Sequence, residues 1–328
     1  MLLASAVQDT QAMAYCAIRI AELLADGKAL ISSGPAVRAP ATLAMSRLGD
    51  SRFHGPDMLC LPNDEILSFV GIGRDPQFRI GTRSDHQRGA SAMDPLKGQL
   101  DAEFNDGITP APDFHVAHFP VTVAQFRVYV ESSGLAPLDI ESLRDAPTES
   151  VRYVTWDEAH AYCERLSARC LELSDKNVFK NNNVRLMLQA GQRFMLPGEL
   201  EWEKAARGGM YTTYSWGDDE RSLPLMANVP ESGIGSVSAC GCFSPNAYGL
   251  YDMTGTVLEW TSRFYAPYAE GAFDGAGVQA GVTGRTATQG GAYNMVKAYA
   301  RYASRRKTHP VFRYRNQGFR LVSRSAES

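Results

Sequence analysis

Two stretches decide the fold: residues 193–209, RFMLPGELEWEKAARGG, and residues 246–262, NAYGLYDMTGTVLEWTS. In the first, Pro197-Gly198 opens a short run that Gly208-Gly209 closes, which predicts a helix with proline at its start and glycine past its end. In the second, large amphipathic rings sit beside glycines. Trp202, Trp216, Tyr248, Tyr251 and Trp260 can fill a loop-rich core while their N–H and O–H groups satisfy stray backbone carbonyls. Working outward, the chain from about residue 66 alternates short apolar runs with clusters of Gly, Pro, Asn and Asp. Two more helices interrupt it. Thr122 opens one, with Val123, Phe126 and Val130 on one face; Thr155 opens the other, with Trp156, Ala159, Tyr162, Cys163 and Leu166 on one side. Thr155 followed by Glu158 has capping-box spacing. No internal repeat of about 20 to 50 residues is present. The pattern is that of an α+β chain with long ordered connections.

At 328 residues, net charge −3, 44% apolar and 21% charged, the composition is that of a folded globular protein. It excludes a disordered chain, a collagen-like chain and a globally basic nucleic-acid binder. Residues 1–65 read as a helical segment distinct from a main domain over 66–328. Met13, Cys16, Ile18, Ile20, Leu23 and Leu24 recur at spacings near three and four before Gly27, and Ala41 to Leu48 forms a second helix ending at Gly49-Asp50. Two such helices cannot enclose a core, so they are expected to pack on the main domain, on a partner or on a larger multidomain parent. No apolar run approaches the roughly 18 to 20 residues that span a bilayer, and the N-terminus lacks the basic start of a signal peptide, so no membrane partner is expected. The cysteines (16, 60, 163, 170, 240 and 242) match neither a disulfide framework nor a zinc pattern, which points to a reduced, cytoplasmic setting. Cys240-Gly-Cys242 is poorly spaced for an internal disulfide and reads as a pair of buried, inert thiols.

Taken in order, 193–209, Tyr214-Ser-Trp-Gly, 246–262, Gly290-Gly-Ala-Tyr and Gln317-Gly-Phe-Arg-Leu-Val resemble the formylglycine-generating enzyme (sulfatase-modifying factor) family. Phe78-Arg-Ile-Gly, Phe119-Pro-Val-Thr-Val-Ala-Gln-Phe and Tyr153-Val-Thr-Trp-Asp-Glu-Ala fit the family's opening, so the resemblance covers about residues 69–324. It implies an elaborated C-type-lectin-like α+β fold with a small twisted sheet, two main helices and extensive ordered loops. The family's enzymes bind copper through two cysteines that follow the Gly-Gly element and oxidise a substrate cysteine. Counting from Gly291, the matching residues here are Met295 and Ala300, and neither supplies the thiolate that Cu(I) requires. Neither copper nor formylglycine chemistry is expected. Related sulfoxide synthases bind iron through histidines. The histidines here (54, 86, 115, 118, 160 and 309) include no i, i+4 pair, and His115 and His118, on a strand, would face opposite ways. The resemblance implies instead a structural calcium held by the carbonyls of Thr254, Gly255 and Val257, with Glu259 as anionic ligand. A salt-bridged Glu259 is the competing reading, because Thr256 and Leu258 replace the family's Asn and Trp. A second calcium site would begin at Asn228-Val229, with Ser232 near the place of its aspartate.

Between Asp274 and Glu327 there is no acid, while Arg285, Lys297, Arg301, Arg305, Arg306, Lys307, Arg313, Arg315, Arg320 and Arg324 are basic. Tyr293, Tyr299, Tyr302, Phe312 and Tyr314 are interleaved with them. The resemblance assigns Arg305 or Arg306, Arg313 and Arg320 to knitting the last strands together and leaves the others on the surface where the enzymes have their substrate cleft. The frame from Gly290 to Arg320 is also similar to the variable proteins of diversity-generating retroelements, in which this segment is diversified for binding. The expected function is therefore a non-catalytic recognition module. Its binding surface would comprise Tyr293, Asn294, Met295, Val296, Lys297, Tyr299, Arg301, Lys307 and His309, taking a protein or an anionic ligand. The alternative is a divergent metal-dependent oxidoreductase of the same family.

Overall fold

A computed structural model describes residues 32–64, 67, 69–82, 103–134, 139–176, 187–266, 268 and 284–325, with scattered positions between 15 and 22. Two four-stranded sheets carry the architecture. The first has the order β1 (Phe69–Ile72), β2 (Phe114–Ala117), β8 (Val322–Ser325), β3 (Gln192–Met195), all antiparallel. The second has the order β6 (Arg305–Thr308), β5 (Thr286–Gln289), β4 (Leu258–Phe264), β7 (Gln317–Gly318), in which only β4 and β7 run parallel. The last strands of the chain thus enter both sheets, and residues 317–325 join them.

The helices form where their caps stand. The helix α2 (Val123–Ser133) and the helix α3 (Trp156–Asp175) each begin with a complete capping box, Thr122 with Gln125 and Thr155 with Glu158. The faces expected from sequence are the buried ones: Phe126 and Val130 of α2 meet Trp156, Tyr162 and Leu166 of α3 around Phe319 and Trp260. The helix α4 (Glu199–Arg207) stops at Gly208, whose φ of 60° is in the left-handed region. Trp202 of α4 lies in a second cluster with Leu250, Met253 and Tyr302.

The N-terminal segment differs from expectation in extent. Its helix, α1 (Pro35–Leu48), starts at Pro35 and continues through Pro40, instead of starting at Ala41. Docking explains this: Arg38, Thr42 and Met45 are buried, so contact with the domain outweighs the hydrogen bond that Pro40 cannot make. The Arg38 guanidinium lies 4.7 Å over the Phe243 ring and donates to the Leu225 carbonyl, and Ser46 Oγ accepts from Thr148 N–H at 2.9 Å. The helix expected over Met13 to Leu24 lies largely outside the described residues. Among the described residues, no helix is long and apolar enough to cross a membrane.

Where β7 pairs with β4, Gly318 leaves no room for a side chain: a Cβ there would strike the Val151 carbonyl oxygen and press on Val257. Gly318→Ala is therefore expected to destabilise the fold by about 1–3 kcal/mol or more, measured as a lower denaturant midpoint at unchanged m-value.

Candidate functional site

The frame of the site is a buried ion pair. Arg320 and Glu259 are each at most 1% exposed. Arg320 Nη2 and Nε donate to Glu259 Oε1 at 3.1 and 3.3 Å, and Nε also reaches Oε2 at 3.1 Å. The remaining guanidinium protons go to the carbonyls of Ala117, His118 and Tyr251. Trp202 Nε1 completes the carboxylate from α4, donating to Oε2 at 2.6 Å.

This arrangement decides the fit of calcium. The expected ligand residues do share one turn: Asn228 and Gly255 form a parallel bridge, and a Cβ on Gly255 would strike the Asn228 carbonyl. That carbonyl, however, accepts Thr256 N–H at 2.8 Å, and the Val229 carbonyl accepts both the N–H and the Oγ of Ser232. Thr254 lines a neighbouring small void, and Val257 packs against Val237 and Tyr293. Glu259, expected as the anionic ligand, is committed to Arg320 and Trp202. These residues do not fit a calcium ion held through Glu259. Among the described residues no three His, Cys, Asp or Glu side chains group as a metal ligand set. Thr256, which replaces the family's Asn, holds φ at 63° with its buried hydroxyl unpartnered. A β-branched residue is costly in that conformation, which Asn tolerates better.

The residues expected to bind ligand divide by packing. Tyr293 and Met295 are buried, contrary to expectation. The turn after Gly290-Gly291 tucks them inward: Met295 lies with Leu258 and Ala292, and the Tyr293 hydroxyl accepts from Arg152 at 3.3 Å. Tyr299 packs against the same cluster as Met295, and Ala300 sits in another with Tyr214 and Val229. Arg301 is committed to the fully buried Glu103 at 2.9 Å, and Lys297 pairs with Glu220 at 3.1 Å. Val296 and Lys307 are exposed; Asn294 and His309 are half-buried.

Most of the cationic run is consumed in the same way. Arg305 pairs with Glu199 beneath the rings of Tyr265 and Tyr268, Arg313 with Glu158 at 3.1 Å, and Arg324 with Glu201 at 2.8 Å. Burial pushes the Glu199 and Glu201 carboxyls up, and Arg305 and Arg324 oppose it. What remains outside is a short strip. Val311 and Phe312 are each 51% exposed. The Phe312 ring stands 5.0 Å from His309 and 5.9 Å, edge-on, from Tyr314, while Arg306 lies 5.9 Å over Tyr314. Asn316 donates to Asn294 at 2.9 Å, and Arg315 is exposed. Sequence reasoning placed Arg315 on the surface, but it left Arg306 open and did not name Val311, Phe312 or Tyr314 among the binding residues. The adjacent apolar pair Val311-Phe312 following Pro310, outside any periodic element, was the available signal.

Cys240 and Cys242 are buried, as their spacing suggested, and burial pushes the Cys242 thiol up to about 12. Gly241 between them donates to Asp252 Oδ2 at 2.8 Å, and Arg52 donates to the Cys240 carbonyl at 2.8 Å. The Cys-Gly-Cys turn is thus a docking point for the N-terminal segment.

The fold is a mixed α+β arrangement in which ordered loops present a short C-terminal face. The sulfatase-modifying factor enzyme 1-like domain family matches residues 85–325, and the chain belongs to that family. It is 33% identical over 196 residues to the formylglycine-generating enzyme of Mycobacterium tuberculosis, covering 47% of this chain and 65% of that protein. The chain spans from 44 to 65% of the length of the first curated relatives it matches. Among solved structures it is similar to PvdO from Pseudomonas aeruginosa, with TM-score 0.60 and 20% identity over 83% of this chain and 98% of that one. It is also similar to Treponema denticola variable protein 1, with TM-score 0.52 and 19% identity over 77% of this chain and 94% of that one.

Glu259→Gln should leave Arg320 buried without its countercharge and cost about 3–5 kcal/mol of stability. The loss should be the same in calcium and in chelator; a loss that appears only with calcium present would return Glu259 to the ligand set.

Burial raises the Asp252 carboxyl to about 6, against the Gly241 N–H, Arg320 and Arg52, which lower it. The folded state then holds a proton that the unfolded chain releases near its ordinary value of 3.8. Stability from this group is present below pH 4 and falls as pH rises towards 6. Asp252→Asn keeps an acceptor for Gly241 and should flatten that fall, by up to about 3 kcal/mol, in denaturation curves taken between pH 4 and 7.

Proposed function

We propose that this domain is a non-catalytic recognition module that binds a protein or an anionic ligand through its C-terminal face. The observation that carries the reading is the content of the positions where the family's oxidases place copper-binding cysteines. Met295 and Ala300 are packed in apolar clusters, while Phe312, Val296, Lys307 and Arg315 are left on the surface near them in sequence, and the half-buried Arg306 reaches Met295 Sδ at 3.8 Å. A face of aromatic and cationic groups on a frame held by buried ion pairs suits binding without chemistry. The variable segment of this reading is 290–320, bounded by Gly290-Gly291 and by the buried Phe319 and Arg320. Its diversification is tested in the neighbouring DNA, where a reverse transcriptase and an adenine-rich near-copy of the segment are expected.

Capture of peptides selected from a displayed library tests the face directly. Phe312→Ala and Arg315→Ala, both at exposed positions, are expected to weaken capture by about 1–4 kcal/mol with the melting temperature unchanged. Tyr293→Ala should instead cost about 3–5 kcal/mol of stability, as large-to-small changes in a core do. Capture indifferent to Phe312 and Arg315 would move the binding surface elsewhere. A sulfatase-type cysteine peptide should remain unconverted with copper added, and turnover would favour an oxidase.

A further inference from the structure

The C-terminal strip is not evenly charged along its length. Of the late arginines, Arg301, Arg305, Arg313, Arg320 and Arg324 each meet a glutamate. Arg306 does not. It follows Arg305 on β6, and because side chains alternate along a strand it leaves by the face opposite the one on which Arg305 meets Glu199. Its guanidinium is half-buried against the Met295 sulfur at 3.8 Å and lies 5.9 Å over the Tyr314 ring, and among the described residues no carboxylate pairs with it. Sulfur is a weak acceptor and a ring face offers no lone pair, so most of the guanidinium donors are left for water or for a ligand.

The other end of the strip is apolar, with acids beyond it. The Tyr314 ring stands 5.9 Å from the exposed Phe312, and Phe312 lies 5.0 Å from His309. Pro310, between His309 and Phe312 in sequence, accepts the N–H of Trp156 at 2.9 Å, which brings the start of α3 beside this end. That start carries Asp157, which is exposed, and Glu158, which is committed to Arg313 and to Thr155. A ligand carboxylate is repelled there and attracted at Arg306. The strip therefore has a direction, from a cation at Arg306 across Tyr314 to an apolar anchor at Phe312.

Building on the recognition reading, on which this rests, we infer that the strip takes a short acidic segment of a protein, with an Asp or Glu side chain on Arg306 and an apolar side chain on Phe312. Arg306 supplies the charge-assisted hydrogen bonds that fix the carboxylate. Both anchors lie 5.9 Å from the Tyr314 ring, so at most twice that distance separates them, which about three extended residues span at roughly 3.3–3.6 Å each. A small inorganic anion would meet Arg306 alone and leave Phe312 uncovered. A peptide carrying both groups at that spacing covers the two together, and the acids at the start of α3 set which way round it lies.

Panning a displayed random-peptide library against the full chain, and sequencing what is captured, tests this. Enriched peptides are expected to place Asp or Glu within about three residues of a large apolar side chain. One such peptide, labelled for fluorescence anisotropy, should bind about tenfold more tightly than its counterpart with Asn for Asp or Gln for Glu, the scale of one lost charge-assisted hydrogen bond, and added salt should narrow the gap. Arg306→Gln should make the two peptides bind alike, while Arg306→Lys keeps part of the preference. The paired peptides make the same comparison on the unaltered protein, so the test stands even if Arg306→Gln fails to fold. Enriched peptides without acids, captured through Phe312, overturn the acidic assignment and leave the recognition reading standing. Capture of no peptide overturns both. An acidic preference that survives Arg306→Gln, or a single-stranded DNA probe that binds more tightly than the peptide, also overturns the inference.

Discussion

Everything near the end of the chain is organised by Arg320. A guanidinium has five N–H donors and no acceptor, and at full burial each donor left unpaired is costly. Here the five go to Glu259, to Ala117 and His118 at the end of β2, and to Tyr251. One side chain therefore fixes the first sheet, the second sheet and the 246–252 loop to one another. Such a pair is weak as a source of stability, because desolvation offsets most of the attraction, but it is strict about geometry. Trp202 adds the condition that α4 lie over the same carboxylate.

The cationic C-terminal run is better described as half of a distributed set of pairs than as a charged surface. Its acids come from far away in sequence: Glu103, Glu158, Glu199, Glu201 and Glu259. Glu158 serves two elements at once, capping α3 through Thr155 and holding Arg313. Burial on this scale makes the pairs mutually dependent, since removing one partner leaves the other buried and uncompensated. The exposed strip at 311–315 can carry exposed aromatic and basic side chains because the loop beneath it is pinned by Arg313 and by Tyr153 N–H bonding to the Tyr314 carbonyl.

What was legible in the sequence was local or framed by invariant geometry. Thr122 and Thr155 announce their helices because a capping box is a three-residue device, and Gly208 announces the end of α4 because a left-handed residue is needed there. The tryptophans behave as expected: Trp156 Nε1 donates to the Thr261 carbonyl and Trp260 Nε1 to that of Val154. What was not legible depended on partners more than 50 residues away. Nothing local distinguishes Arg301, held by Glu103, from Arg315, which is exposed. Tyr293 and Met295 read as surface anchors because aromatic and sulfur side chains suit both a core and a binding face, and only the inward turn after Gly291 separates the two. Pro40 misled in the opposite direction: its local penalty is real, but α1 is long enough and buried enough to absorb it.

These two kinds of information meet at residues 254–259. The turn keeps Gly255, where the Asn228 carbonyl passes too closely for any side chain, yet it carries Thr256 at a φ of 63° where the family has Asn. A turn that retains its tight glycine but loses the residue best suited to its left-handed position is held from outside, not by its own preference. The holding contacts are the Thr256 N–H to the Asn228 carbonyl, the Gly255 N–H to Gly290, and, four residues on from Gly255, the Glu259–Arg320 pair. The strain at Thr256 and the pairing of Glu259 thus belong to one arrangement, in which the Glu259 carboxylate is neutralised from within the chain by Arg320.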